Sequence, residues 1–175
     1  MDEETIDSRH IYSGRVLLDV RVDEVRLDDG RAATRELVTV AEAVLVLPLL
    51  DDGRMVFIRQ FRKGIGAELL ELPAGKLDPG EERESAARRE LAEETGYRCA
   101  SLEYLGPIHT SPGFCNEVIH IYRARGLEHV GQHTDEDERI EVEILSAEEV
   151  SELLTEGRIT DAKTLCALLL YQRLP

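Results

Sequence analysis

Three glutamates at helical spacing are the residues best suited to chemistry. Glu90 and Glu94 are four positions apart and Glu90 and Glu93 three, so on a helix all three crowd one face. Ala86, Ala87 and Leu91 flank the same side, which turns that face toward the protein. Like charges at this spacing cost roughly 0.2–0.5 kcal/mol per pair even in water, and more once desolvated. Arg89 is adjacent and can pair with one of them. A hard divalent cation most simply supplies the missing charge. Mg²⁺ and Mn²⁺ take oxygen ligands, often a few carboxylates with waters and substrate phosphates. The plain alternative is a solvated acidic face paired with Arg83, Arg88 and Arg89.

Those glutamates need a helix and a loop to aim it. Pro73, Gly75, Pro79 and Gly80 disfavour regular structure, so residues 73–80 read as a loop. A helix follows from Glu81 or Glu82, where acidic side chains favour the positive end of the dipole. It ends at Thr95, with Gly96 suited to the left-handed cap position.

Apolar alternation at Val16, Leu18, Val20 and Val22 shifts phase to Val25 and Leu27. Residues 15–27 therefore read as a strand, bulged or bent near Asp23. Asp28, Asp29 and Gly30 mark a turn, and residues 33–40 pair back as a hairpin. Residues 43–50 form a buried aliphatic strand. A second hairpin turn at Asp51, Asp52 and Gly53 leads to a strand over 55–61. Further strands are expected at 67–72, 100–105, 117–124 and 139–145. Helices are expected at 82–95, 147–156 and 161–173, the last packing through Leu165, Leu168, Leu169 and Leu170. The fold class is thus α/β, a mixed sheet covered by a few helices. A small N-terminal β unit occupies residues 1–40 and the main domain residues 41–175.

The chain has 175 residues, the size of one ordinary domain, and 42% of them are apolar, enough for a core. Its net charge of −15 argues against a nucleic-acid surface, which needs excess Lys and Arg to neutralise phosphates. A small anionic substrate is still compatible if cations lie between it and the carboxylates. Cys99, Cys115 and Cys166 are scattered and show neither a disulfide framework nor zinc spacing. The acidic start of the chain does not read as a signal peptide, and no apolar run reaches membrane-spanning length. A cytoplasmic protein with no membrane partner is expected.

With loop and helix together, the segment resembles the Nudix box. That pattern is Gly, five residues, Glu, seven residues, then Arg-Glu-aliphatic-x-Glu-Glu-x-Gly-aliphatic. Here it is Gly75, Glu81, Arg89, Glu90, Leu91, Glu93, Glu94 and Gly96, with aromatic Tyr97 at the last apolar position. The resemblance implies a Nudix-type α/β/α sandwich with the box as loop–helix–loop. It implies hydrolysis of a nucleoside diphosphate linked to another moiety, using one to three Mg²⁺ or Mn²⁺ ions. Glu90 and Glu94 would ligate metal, and the carbonyl of Ala74 is a further candidate ligand. Glu93 would join the catalytic residues as a further ligand or a partner through water. Glu81 would stand one layer out, and Arg89 would orient the glutamates by salt bridges.

Outside the box the chain resembles the ADP-ribose pyrophosphatase branch of that family. Pro112 and Gly113 follow the box, and with Glu117 they are expected at the substrate. Arg59 and Arg62 end a strand, at the substrate phosphates or in the fold's framework, and Arg suits bidentate phosphate contact. The acidic run before the strand at 139 supplies Glu136 as candidate base and Glu138 as candidate metal ligand. Tyr12, Arg35 and Glu36 of the N-terminal unit are plausible adenine contacts, and that unit is expected to build a homodimer. A departure lies at residues 40–43 (Val, Ala, Glu, Ala), where relatives often carry a His-Pro-Gly-like turn.

ADP-ribose, cleaved to AMP and ribose 5-phosphate, is the expected substrate. A nucleotide sugar, a dinucleoside polyphosphate or a dinucleotide cofactor would undergo the same chemistry, since the box reads the diphosphate and not its ends. A binding module that senses ADP-ribose without cleaving it is the reading from another class. Such domains usually lose box carboxylates, and this chain keeps Glu81, Glu90, Glu93 and Glu94.

Overall fold

The computed structural model describes residues 2–133 and 139–173. Two compact units emerge, one of residues 1–42 with 109–118, the other of 43–108 with 119–175.

The first unit is an antiparallel sheet of β1 (Glu4–Tyr12), β2 (Asp19–Arg26) and β3 (Ala32–Thr39) in that order. The β2–β3 register runs without a break from Asp19 opposite Thr39 to Arg26 opposite Ala32. The irregularities lie instead in β1, between Thr5 and Asp7 and between His10 and Tyr12. The bend expected near Asp23 is therefore absent, and the phase change has another cause. Asp23 itself is buried and accepts hydrogen bonds from Ser8 Oγ at 2.6 Å and Arg21 Nε at 3.2 Å. A buried carboxylate needs such partners. β1 was not expected at all. Every one of its residues is exposed, so it has no buried face to impose an apolar alternation.

Residues 109–118 join this unit through β3. Val38 N–H donates to the Phe114 carbonyl at 2.8 Å, and Val40 N–H donates to Asn116 Oδ1 at 2.8 Å. Asn116 Nδ2 completes the pair on the Val40 carbonyl at 3.2 Å.

The second unit is built on β4 (Ala43–Pro48), an aliphatic strand buried along its whole length. After it come β5 (Met55–Arg62), β6 (Ala67–Glu71), β7 (Ala74–Lys76), α1 (Arg83–Thr95), β8 (Tyr97–His109), β9 (Val118–His129), β10 (Ile140–Leu145), α2 (Ala147–Thr155) and α3 (Ala162–Gln172). One sheet has the order β7-β4-β9-β8 with β4 parallel to β9, and the other has the order β10-β5-β6. The turn at Gly53 closes as a hairpin, with Leu50 N–H on the Arg54 carbonyl at 2.9 Å, but the two strands then enter different sheets. β4 and β5 share one bridge, Leu49 to Met55, before parting. Both are buried on two faces, so each needs its own covering layers.

Strand alternation then sorts the core. Leu45 and Leu47 pack with Phe57, Ile119 and Ile121 against Val150 of α2 and Ala167 and Leu168 of α3. Val44 and Val46 point the other way and pack with Tyr122 and Ala124 against Ala86, Ala87 and Leu91 of α1. Helices therefore cover both faces of β4, the expected α/β/α layering. α3 rotates differently from expectation. Thr164, Ala167 and Leu168 are buried, while Leu169 stays 60% exposed. Thr164 is accommodated inside because its Oγ1 accepts a hydrogen bond from Leu72 N–H at 2.9 Å. Among the described residues no helix is long and apolar enough to cross a membrane.

Candidate active site

Local chemistry explains why α1 begins and ends where it does. Glu82 caps its start without a side-chain hydrogen bond, and the charge of Glu84 favours the first turn. Gly96 closes it at φ 73°, with its N–H on the Ala92 carbonyl. A Cβ there would also lie 2.8 Å from the Gln132 backbone nitrogen, so glycine is required twice over.

That close approach has a purpose. Val130 N–H donates to the Gly96 carbonyl at 2.7 Å and His133 N–H to the Glu93 carbonyl at 3.1 Å. Gln132 Nε2 donates to the carbonyls of Glu94 at 2.6 Å and Ile140 at 3.2 Å. The carbonyls at the end of α1 are thereby satisfied by the irregular segment that follows β9. Glu136 and Glu138 lie outside the described residues.

The loop before α1 is more regular than its prolines and glycines suggest. Ala74, Gly75 and Lys76 form β7, opposite Leu45, Val44 and Ala43 of β4. Ala74 N–H donates to Glu94 Oε2 at 2.8 Å. Glu94 is 4% exposed, and this bond helps to hold its carboxylate inside. One residue on, a Cβ on Gly75 would collide with the Glu90 carboxylate, so the glycine makes the seat for that side chain.

Arg89 gathers the rest. Its Nε and Nη2 hold Glu81 at 2.9 and 2.8 Å, its Nη1 reaches Glu90 at 2.8 Å and Glu93 at 3.0 Å, and Nη2 also donates to the Lys76 carbonyl at 3.1 Å. It therefore pairs with three carboxylates, not one. The Glu81 hydrogen bond, with Glu90 and Glu93, raises the Arg89 pKa further above its already high value. In return the Arg89 hydrogen bond, helped by the Asp78 N–H, holds the Glu81 carboxyl below its usual range. Glu93 is the most open of the set and Glu90 is largely covered.

Among the described residues no three His, Cys, Asp or Glu side chains form a ready cage for a metal ion. The carboxylates turn to Arg89 and to backbone N–H groups instead, as uncompensated charges must. The donors are nonetheless all oxygen: Glu90 on its glycine seat, Glu94, Glu93 and the backbone of Ala74. That chemistry fits Mg²⁺ or Mn²⁺ and disfavours softer metals.

Arg59 and Arg62 are three apart on an unbroken strand, so they face opposite ways. Arg59 Nε holds Glu143 at 2.6 Å. Arg62 lies on the other face and grips Glu71 through Nε and Nη2, both at 2.7 Å. Lys163 holds the same carboxylate and also Asp161 at 3.0 Å. Burial pushes the Glu71 carboxyl up, but Arg62 and Lys163 outweigh it and bring it below its usual value. Framework service by Glu71 and Lys163 had no signal in the sequence, because their partners are 9 and 92 residues away.

In the first unit, a cavity of about 780 Å³ is lined by Arg35, Glu36, Gly113 and Phe114 together with Ile11 and Leu37. Arg35 also pairs with Glu3, its Nε donating at 3.0 Å. Pro112 lines a smaller neighbouring hollow of about 220 Å³ with Phe114 and Asn116. Tyr12 is 55% exposed, and Glu117 lies just before β9. Phe114, which follows Pro112 and Gly113 in sequence, lines both hollows.

The NUDIX domain description matches residues 39–168. The chain belongs to the NUDIX family and is a pyrophosphohydrolase of that family. It is 40% identical over 170 residues to the ADP-ribose pyrophosphatase of Bacillus subtilis (strain 168), covering 96% of this chain and 91% of that one. It is also 40% identical over 169 residues to the methanol dehydrogenase activator of Bacillus methanolicus, covering 95% and 91%. Among solved structures it is similar to an ADP compounds hydrolase, with a TM-score of 0.88, 25% identity, and 98% and 93% of the two chains covered.

Proposed function

We propose that the protein cleaves the diphosphate linkage of ADP-ribose to AMP and ribose 5-phosphate, using Mg²⁺ or Mn²⁺. The observation that carries this reading is the convergence of Glu81, Glu90 and Glu93 on Arg89, with Glu94 held on the Ala74 N–H. A bound divalent cation supplies positive charge to the diphosphate oxygens and makes water a stronger acid. Glu90 and Glu94 would hold it, with the Ala74 carbonyl and, at the open edge, Glu93. Arg89 keeps these carboxylates oriented. Glu136 takes the proton from the attacking water, and Glu138 adds a ligand charge. Arg62 spends Nε and Nη2 on Glu71, which leaves Nη1 for a phosphate oxygen.

ADP-ribose is favoured by the Bacillus subtilis relative and by the solved ADP compounds hydrolase. The equal likeness to an activator protein leaves the carboxylate set unexplained unless the site also hydrolyses. The cavity bearing Arg35, Glu36 and Phe114 has the size and mixed lining of a nucleoside pocket. Exposed Ile6, Ile11, Val16 and Leu18 support a homodimer built through the first unit. None of the three cysteines forms a disulfide, in keeping with a cytoplasmic setting.

The test is a turnover panel in oxygen-labelled water with ADP-ribose, GDP-mannose, diadenosine polyphosphates and NADH. Efficient release of AMP from ADP-ribose, with label in one product, is expected. Failure on ADP-ribose with good turnover of another member would move the substrate assignment. Metal-independent binding of ADP-ribose without product would convert the protein into a sensor.

A further inference from the structure

Gln60 sits on β5 between the two arginines, and its position is unusual. It is 7% exposed, and its Oε1 is fully buried with no hydrogen-bond partner. An orphaned buried acceptor is costly, and its persistence in a core strand asks for a ligand. Strand alternation places Gln60 on the same face as Ile58 and Arg62, opposite the face that carries Phe57.

Two links run from that face to Glu94. Arg62, two residues on, feels the Glu94 charge as well as that of Glu71. Ile140 stands directly opposite Gln60 on β10, and its carbonyl shares the Gln132 amide with the carbonyl of Glu94. Gln60 thus neighbours Arg62 on its own strand, and its partner Ile140 on β10 is tied through Gln132 to the last turn of α1. Acceptor-only at Oε1, it cannot bond a phosphate oxygen but suits the proton of a water. Hard cations keep several waters, and those waters need acceptors to orient them.

We infer that Gln60 is a positioning residue of the cation site, its Oε1 accepting from an ordered water held beside Glu94. The inference rests on the metal-site reading of α1. The same group costs stability when no cation is bound, which is the mark of a residue kept for function.

Gln60→Met and Gln60→Leu replace the amide with apolar groups of similar size, and Gln60→Glu keeps an acceptor. Mn²⁺ affinity, read by paramagnetic resonance of free Mn²⁺, is measured with the melting temperature of metal-free protein. The apolar variants should melt at or above wild type and bind Mn²⁺ roughly 10–100-fold more weakly, the range for removing a group behind a metal ligand. Gln60→Glu should recover most of that affinity. Wild-type Mn²⁺ affinity in both apolar variants overturns the inference, whatever their melting temperature. So does a Gln60→Glu variant as weak as they are. Glu94→Gln measured alongside separates the causes. If it binds Mn²⁺ weakly while the apolar Gln60 variants do not, only the Gln60 role fails. If it too binds like wild type, the metal-site reading fails with it.

Discussion

The Glu94 carboxylate accepts a hydrogen bond from the Ala74 backbone N–H at 2.8 Å, so the last turn of α1 and strand β7 share one buried charge. Glu94→Gln keeps a carbonyl oxygen for that bond and removes the charge. The fold should survive, with a melting temperature near wild type. Turnover at saturating Mg²⁺ should fall by more than the ~10–100-fold typical of losing an outer partner. Wild-type activity in this variant would remove Glu94 from the ligand set.

Gly75→Ala tests the seat of Glu90. The new Cβ collides with that carboxylate, while the backbone of β7 can accept alanine. Glu90 must swing away, so Mn²⁺ affinity should drop several-fold or more with little change in circular dichroism. Unchanged affinity would show that Glu90 is not placed by this glycine.

Arg89→Met strands Glu81, Glu90 and Glu93 without their shared cation. Metal-free protein should be destabilised by about 1–3 kcal/mol. At about 2–4 °C per kcal/mol for a chain this size, the shift is readable in a thermal melt. Added Mg²⁺ should then raise the melting temperature more than it does in wild type, because a second source of positive charge is scarcer. An equal Mg²⁺ response in both proteins would argue that the cation and Arg89 serve different carboxylates.

Glu71 gives the pH dependence a sign. Its folded-state carboxyl lies below the ordinary 4.5 because Arg62 and Lys163 overcome the effect of burial. The unfolded chain therefore takes up the proton first as pH falls. Glu71 contributes its full stabilisation above 4.5 and loses it as pH drops toward the folded-state value. Lys163→Met should destabilise at pH 7 by less than the roughly 3–5 kcal/mol of a fully broken buried pair, since Arg62 remains. Denaturant melts from pH 7 to pH 3 should show the gap between variant and wild type closing on the acid side. A gap that widens there would assign the effect to packing.

Glu136→Gln and Glu138→Gln separate the proposed base from the proposed ligand. The first should slow turnover by ~10²–10⁴-fold, as for loss of a general base, with Mn²⁺ binding nearly intact. If Glu138→Gln is the more damaging to chemistry and spares binding, the base is Glu138.

The box on α1 could be read from the sequence because its chemistry is local. Glu90, Glu93 and Glu94 meet through helical spacing alone, and Arg89 lies within the same turns. The buried strand β4 announced itself through an unbroken aliphatic run, and α1 through its loop and its glycine stop. Strand β1 stayed hidden because an exposed edge imposes no pattern. Tertiary structure alone decided which carboxylates Arg89 would collect, that Ala74 N–H would meet Glu94 across 20 residues, and that Arg59 and Arg62 would part to opposite faces. It alone left Gln60 buried with an empty acceptor. The division has one physical reason. Helix spacing fixes neighbours within a few residues, whereas burial and pairing between distant strands depend on how the whole chain closes.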